Sequence, residues 1–242
     1  MSEFETRNRQ KISEIGADTR LYALTREWFE RSSRHEYPYH FTWLGLPIIQ
    51  FPQDIVAMQE IIWRVKPDLI VETGVARGGS VVFYASMLEL IGGPGTVIGI
   101  DVDIRAPNRA AIEGSSMFKR ITLIEGSSSD PAIVARVRER AARASRVLVS
   151  LDSNHTHAHV LDELEAYGPC VTKDSYLVVF DTSIELLPPD VLGDRPWAPG
   201  NSPATAVREF LASNDRFVID QAMDHKLLIT EAPGGYLKCV KD

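Results

Sequence analysis

Only two cysteines, Cys170 and Cys239, occur in the 242 residues. Two thiols cannot make a disulfide framework, so a reduced, intracellular setting is expected. No apolar run approaches the ~20 residues that span a bilayer. The N-terminal stretch MSEFETRNRQKISEIG is charged where a secretory signal would be apolar. The expected location is the cytoplasm. Basic charge is also short. Lys and Arg number 26 against 33 Asp and Glu, a net charge of −7, which argues against general binding to nucleic acid or to anionic membranes. There is no internal repeat, no low-complexity tract and no G-x-G-x-x-G stretch of the dinucleotide type.

What is present is a core-forming apolar fraction of 44% and a regular alternation of elements. Residues 1–50 read as an N-terminal arm. A polar helical stretch runs to about Arg31, followed by the aromatic segment Tyr37-Pro38-Tyr39-His40-Phe41-Thr42-Trp43. Such an arm either packs on the core or closes a pocket or an oligomer contact. Residues 51–242 read as one α/β domain. A helix starts at Pro52, with Ile55, Met58, Ile61, Ile62 and Val65 on one face, and ends before Pro67. Strands are expected at Leu69–Thr73, Thr96–Asp101, Arg120–Glu125, Val147–Asp152, Ser175–Asp181, Phe217–Asp220 and Lys226–Thr230. Helices are expected at Ser80–Ile91, Pro131–Ala144, Ala158–Tyr167 and Pro203–Ser213. Apolar strands separated by helices predict a mostly parallel sheet. The five-residue gap before Lys226 is too short for a crossover, so the last two strands should form an antiparallel hairpin. The proline-bearing connection Thr182–Ser202 is long enough to cover a substrate.

Ligands of such a sheet sit beyond the carboxyl ends of its strands. The first strand ends at Glu72, beside the glycine-rich turn Gly74-Val-Ala-Arg-Gly78-Gly79-Ser80. A carboxylate there disfavours phosphate and suits a ligand with an ammonium and hydroxyls, as S-adenosylmethionine (SAM) has. The second strand ends at Asp101, placed to accept from two ribose hydroxyls. After the third, Ser127 could frame an adenine edge, and the Ser-Ser-Asp130-Pro131 stretch caps the next helix. The fourth and fifth strands end near Asp152 and Asp181. Adjacent strand ends bring these two carboxylates together; they repel unless a cation or a shared proton offsets them, and a hard divalent ion, Mg²⁺ by default, is the simplest resolution. His155 can face the same space and take a proton from a hydroxyl made acidic by that ion. His155 and His159, four apart, could instead hold a transition metal. Aspartates at strand ends also commonly cap helices.

The sequence also carries Trp43-x-Gly45-x-Pro47-Ile-Ile-Gln50-x-Pro52-x-Asp54, Pro67-Asp68-Leu-Ile-Val-Glu72-Thr-Gly74 through Ser80, Leu151-Asp152-Ser-Asn-His155-x-x-x-His159, and Pro233-Gly234-Gly235-Tyr236-Leu237. From about Phe41 to Lys241 this resembles the cephalosporin hydroxylase family, which includes rhamnosyl O-methyltransferases, and it is similar to macrolide-sugar O-methyltransferases that use Mg²⁺. The resemblance implies a Rossmann-like class I methyltransferase fold and a SAM-dependent transfer to a hydroxyl of a small natural product or sugar. It implies SAM contacts from Glu72, Gly74, Gly78, Ser80 and Asp101, metal ligation by Asp152 and Asp181, and His155 as general base. One position departs from the family pattern: Phe180 stands where a glutamate usually precedes Asp181. That departure motivates a second reading, a non-catalytic SAM-binding subunit of a tailoring complex. An NAD-dependent oxidoreductase is a third.

Overall fold

The computed structural model describes residues 2–242. The polar N-terminal stretch is helical and consists of α1 (Glu3–Ala17) and α2 (Thr19–Ser33). Asp18 makes the break. Its amide closes the end of α1, and its side chain accepts from the Leu21 amide at 2.9 Å to start α2. Trp28 and Phe29 on α2 pack with Tyr37 against Phe51, which ties the arm to the start of the larger domain. The aromatic segment then forms a small ladder, β1 (Thr42–Trp43) with β2 (Leu46–Pro47).

From there the chain runs α3 (Pro52–Val65), β3 (Leu69–Thr73), α4 (Gly79–Ile91), β4 (Thr96–Asp101), α5 (Ala106–Glu113), β5 (Ile121–Glu125), α6 (Pro131–Ala141), β6 (Val147–Leu151), α7 (His157–Tyr167) and β7 (Tyr176–Val179). It closes with α8 (Pro189–Leu192), α9 (Pro203–Ser213), β8 (Phe217–Ile219), α10 (Gln221–Leu227) and β9 (Tyr236–Cys239). Seven strands form one sheet in the order β5-β4-β3-β6-β7-β9-β8. The first five are mutually parallel, and β9 is antiparallel to both β7 and β8. This is the Rossmann-like sheet of class I methyltransferases.

Strand residues alternate between the two faces. Ile70, Tyr176, Val178 and Phe180 join the core under α3 and α4. Leu69, Val71, Leu177 and Val179 join the core under α6, α7 and α9. Buried on both sides, the central strands read as continuous apolar runs, which is why their positions were legible to within a residue or two.

The expected strand Lys226–Thr230 does not form, and the antiparallel closure comes ten residues later. Asp220 caps a helix instead, its side chain accepting from the Met223 amide, and Leu228 then takes a left-handed turn with φ 60°. The strand is Tyr236–Cys239, where Tyr236 and Leu237 are fully buried. Lys226 therefore lies on α10, paired with Glu60 of α3.

The sheet order reverses at β3, whose neighbours are β4 on one side and β6 on the other. The crevice at their carboxyl ends is where this topology binds ligands.

Candidate active site

The loop after β3 is built for close approach. Gly74 and Gly78 have φ of 87° and 88°, conformations that favour glycine. A Cβ on Gly74 would lie 1.9 Å from the carbonyl oxygen of Asp152, so this loop rests directly on the one that follows β6. Asp101 steadies the loop. Its Oδ2 accepts from the amides of Val75 and Ala76, each at 2.9 Å, and its Oδ1 accepts from the Asp103 amide at 3.0 Å.

Beneath the loop, Glu72 is fully buried, and neither carboxylate oxygen has a hydrogen-bond partner. Burial raises its pKa to about 8; the nearby Ser80 hydroxyl opposes that shift without completing a bond, and the Asp101 charge adds to it. Gln50, 1% exposed, likewise leaves both amide atoms unpartnered and lines the cavity described next. Orphaned buried polar groups beside a glycine cradle suit a ligand that brings its own ammonium and carboxylate, as SAM does, and the Glu72 carboxyl disfavours phosphate.

A cavity of about 670 Å³ opens here. Gly74, Val75, Gly79 and Ser80 line one part of it; Asp152, His155, Asp181 and Glu231 line another. The arm contributes Arg34 and Tyr39, and the 182–202 connection contributes Arg195 and Trp197. Arg34 reaches across to Asp190 at 2.8 Å, joining arm and connection at this opening. Of the residues expected to bind cofactor, Gly74 and Ser80 line the cavity. Glu72, Gly78 and Asp101 lie outside its lining, and Ser127 spends its hydroxyl on Ser129 at 3.0 Å.

Asp152, His155 and Asp181 come from two strand ends and one loop, yet they offer ligand atoms all within 4.8 Å of one another. The Phe180 amide donates to the Leu151 carbonyl at 3.0 Å, and Asp181 then adopts a left-handed φ of 57°. His155 Nδ1 sits 3.5 Å from Asp181 Oδ2, and its ring meets Trp197 edge-on with centroids 4.6 Å apart. Burial first, and then the charge of Asp181, push the Asp152 carboxyl well above the usual range. Among the described residues, His155 is the only basic side chain within ion-pairing distance of Asp152 or Asp181. Two carboxylates and an imidazole with no Lys or Arg counterion fit a hard divalent cation. The structure does not pair His155 with His159. His159 turns to Ser128, Ser153 and the buried Glu163.

Three contributors had no role assigned from the sequence. Gln50 stands in the motif that carries the family resemblance. Trp197 lies in the Thr182–Ser202 connection expected to cover a substrate, which it does as part of the cavity lining. Glu231 lies fifty residues beyond Asp181, and nothing in its spacing connects the two.

The family profile described as rhamnosyl O-methyltransferase/CmcI matches residues 35–240. The rhamnosyl O-methyltransferase of Mycobacterium tuberculosis (strain H37Rv) is 32% identical over 198 residues, covering 81% of this chain and 77% of that one. The protein of the same name from Mycobacterium leprae is 30% identical over 203 residues, covering 81% and 82%. Among solved structures, a CmcI with Mg and SAM superposes with a TM-score of 0.61 at 22% identity, covering 84% and 78%. An O-methyltransferase from Bacillus cereus in complex with SAH gives 0.51 at 14% identity, covering 90% of both chains. The structural likenesses support the fold.

Proposed function

The chain belongs to the rhamnosyl O-methyltransferase/CmcI family and is thereby a SAM-dependent O-methyltransferase; from that premise we propose that it methylates a hydroxyl of a small natural product or sugar, aided by a divalent cation of the Mg²⁺ type and a histidine base. The observation that carries the proposal is the convergence of Asp152, His155 and Asp181 in the same cavity as the glycine loop.

SAM, when bound, supplies an electrophilic methyl on a cationic sulfur. The cation, when bound, supplies a Lewis acid that lowers the pKa of a nearby hydroxyl. The remaining work falls to this chain's own groups. Gly74 and Ser80, which line the cavity, would border the cofactor, with the turn at Gly78 behind them. Glu72, buried beneath that loop, would place its carboxylate under the ammonium, and Asp101, which already holds the loop amides, would stand on the side of the ribose hydroxyls. Asp152 and Asp181 would hold the cation. With Nδ1 turned to Asp181, His155 keeps Nε2 on the far side of the ring, free to accept the hydroxyl proton. Trp197 fixes the plane of that ring. Transfer to oxygen requires in-line alignment more than covalent help. Arg34 and Tyr39 of the arm, with Arg195 and Trp197, wall the space left for the acceptor.

The test is an assay of the purified protein with SAM and a panel of rhamnosyl and other glycosidic acceptors, read by mass spectrometry. A product heavier by one methyl group is expected, its rate falling at least ~10-fold with EDTA and returning with Mg²⁺. SAM binding without transfer to any hydroxyl would favour the non-catalytic subunit instead. Transfer indifferent to EDTA would remove the cation from the proposal.

A further inference from the structure

We propose that Glu231 is a third carboxylate of the cation site, delivered by the segment that leads into β9. The inference rests on the cation reading of the proposed function and adds a residue to it.

Glu231 lines the same cavity as Asp152, His155 and Asp181, and its backbone is bonded to that of Ser183, two residues after Asp181. Asp152 and Asp181 offer oxygens within 4.8 Å of one another, and Glu231 brings a third carboxylate to the same cavity. Phe180, next to Asp181 in the chain, is 1% exposed in the core under α3 and α4 and offers no oxygen there.

Glu231 is also held there by its backbone. Its amide donates to Asp54 Oδ2 at 2.8 Å, and its carbonyl accepts from the Ser183 amide at 3.1 Å. Asp54, fully buried in the first turn of α3, also accepts from the Tyr236 hydroxyl at 2.7 Å and from Thr230. The Thr182 hydroxyl donates to the Pro233 carbonyl at 2.9 Å. This clamp fixes the backbone of residue 231 beside the segment that follows Asp181. Carboxylates gathered in one cavity need a cation or a shared proton between them, and among the described residues no Lys or Arg forms an ion pair with Asp152, Asp181 or Glu231. The same cavity holds Gln50, buried with both amide atoms unpartnered, an independent sign that a ligand belongs in it. Three carboxylates and an imidazole, with room for water, suit the hard, partly hydrated coordination that Mg²⁺ prefers.

The experiment titrates Mg²⁺ into the full-length protein by calorimetry, with and without SAM, and repeats it with Mn²⁺ by the loss of its free EPR signal. Wild type should bind one ion. Glu231→Gln should bind it at least ~10-fold more weakly while its SAM affinity stays within about twofold. Without metal, Glu231→Gln should melt no lower than wild type, because an amide does not repel Asp181, and the rise in Tm on adding Mg²⁺ should shrink. Glu231→Asp, which keeps the charge on a shorter arm, should fall between the two and covers the case in which the glutamine variant does not fold. Mg²⁺ affinity unchanged in Glu231→Gln, or in Glu231→Asp should that variant be the one that folds, overturns the role of Glu231 and leaves the cation in place. A wild type that binds no divalent ion overturns both.

Discussion

The ends of β3 and β4 and the ends of β6 and β7 border one crevice but are built in opposite ways. On the β3 and β4 side the work is done by backbone. Glycines remove side chains, and Asp101 meets the loop amides at ordinary hydrogen-bond distances. On the β6 and β7 side it is done by side chains, with the ligand atoms of Asp152, His155 and Asp181 within 4.8 Å of one another and no Lys or Arg paired to the two carboxylates among the described residues. The first region offers backbone and fixed dipoles; the second offers carboxylates that suit a cation or a shared proton. A site divided this way can bind cofactor and activate acceptor through separable groups.

Asp152→Asn tests that separation most severely. Turnover should fall by about 10³-fold while SAM affinity, measured by calorimetry, changes less than about threefold. A matching loss of SAM binding would show that the two halves act as one. His155→Ala should cost at least ~100-fold in turnover, again with SAM affinity nearly intact, and unchanged turnover would refute the base. Gly74→Ala cuts across the division, since its new Cβ would strike the Asp152 carbonyl at a φ that suits glycine. It should weaken SAM binding by about 10-fold or more and lower the Tm. The smallest effect concerns pH. Glu72 has a pKa raised from 4.5 to about 8, so the folded state keeps a proton that the unfolded state releases. The stability this gives is complete below pH 4.5 and is lost as pH climbs through about 8. Cofactor-free Glu72→Gln should therefore show a smaller fall in Tm between pH 5 and pH 8.5 than wild type does. Some fall should remain, because Asp54, raised to about 6, and Asp224, raised to about 7, act in the same direction.

The same contrast explains what could be read in advance. The central strands and the glycine turn are local signals. Leu69–Thr73 is a short apolar run that ends in an acid, and its neighbours repeat the form. Asp152, His155 and Asp181 followed from asking what each strand ends with, which needs topology but no contacts. The final strand was misplaced because Leu227-Leu-Ile229 is as apolar as a strand, while the Asp220 cap that winds the preceding residues into a helix is a three-residue effect easily outweighed in such a reading. Glu231 and Gln50 were hidden for a different reason. Glu231 is placed only through contacts far along the chain, such as the Asp54 carboxylate on its amide, and Gln50 only by burial beside the cavity.

β9 is the last strand in the chain, yet it lies between β7 and β8 rather than at an edge. During synthesis, the place beside β7 therefore stays open until residues 236–239 have left the ribosome. A chain truncated before Tyr236 would leave β8 without its partner and the residue 231 segment without the strand that follows it, while the glycine turn and its Asp101 support are already encoded. The order of synthesis thus separates the two sides of the crevice in time, with the cofactor turn made early and the neighbour of β7 made late.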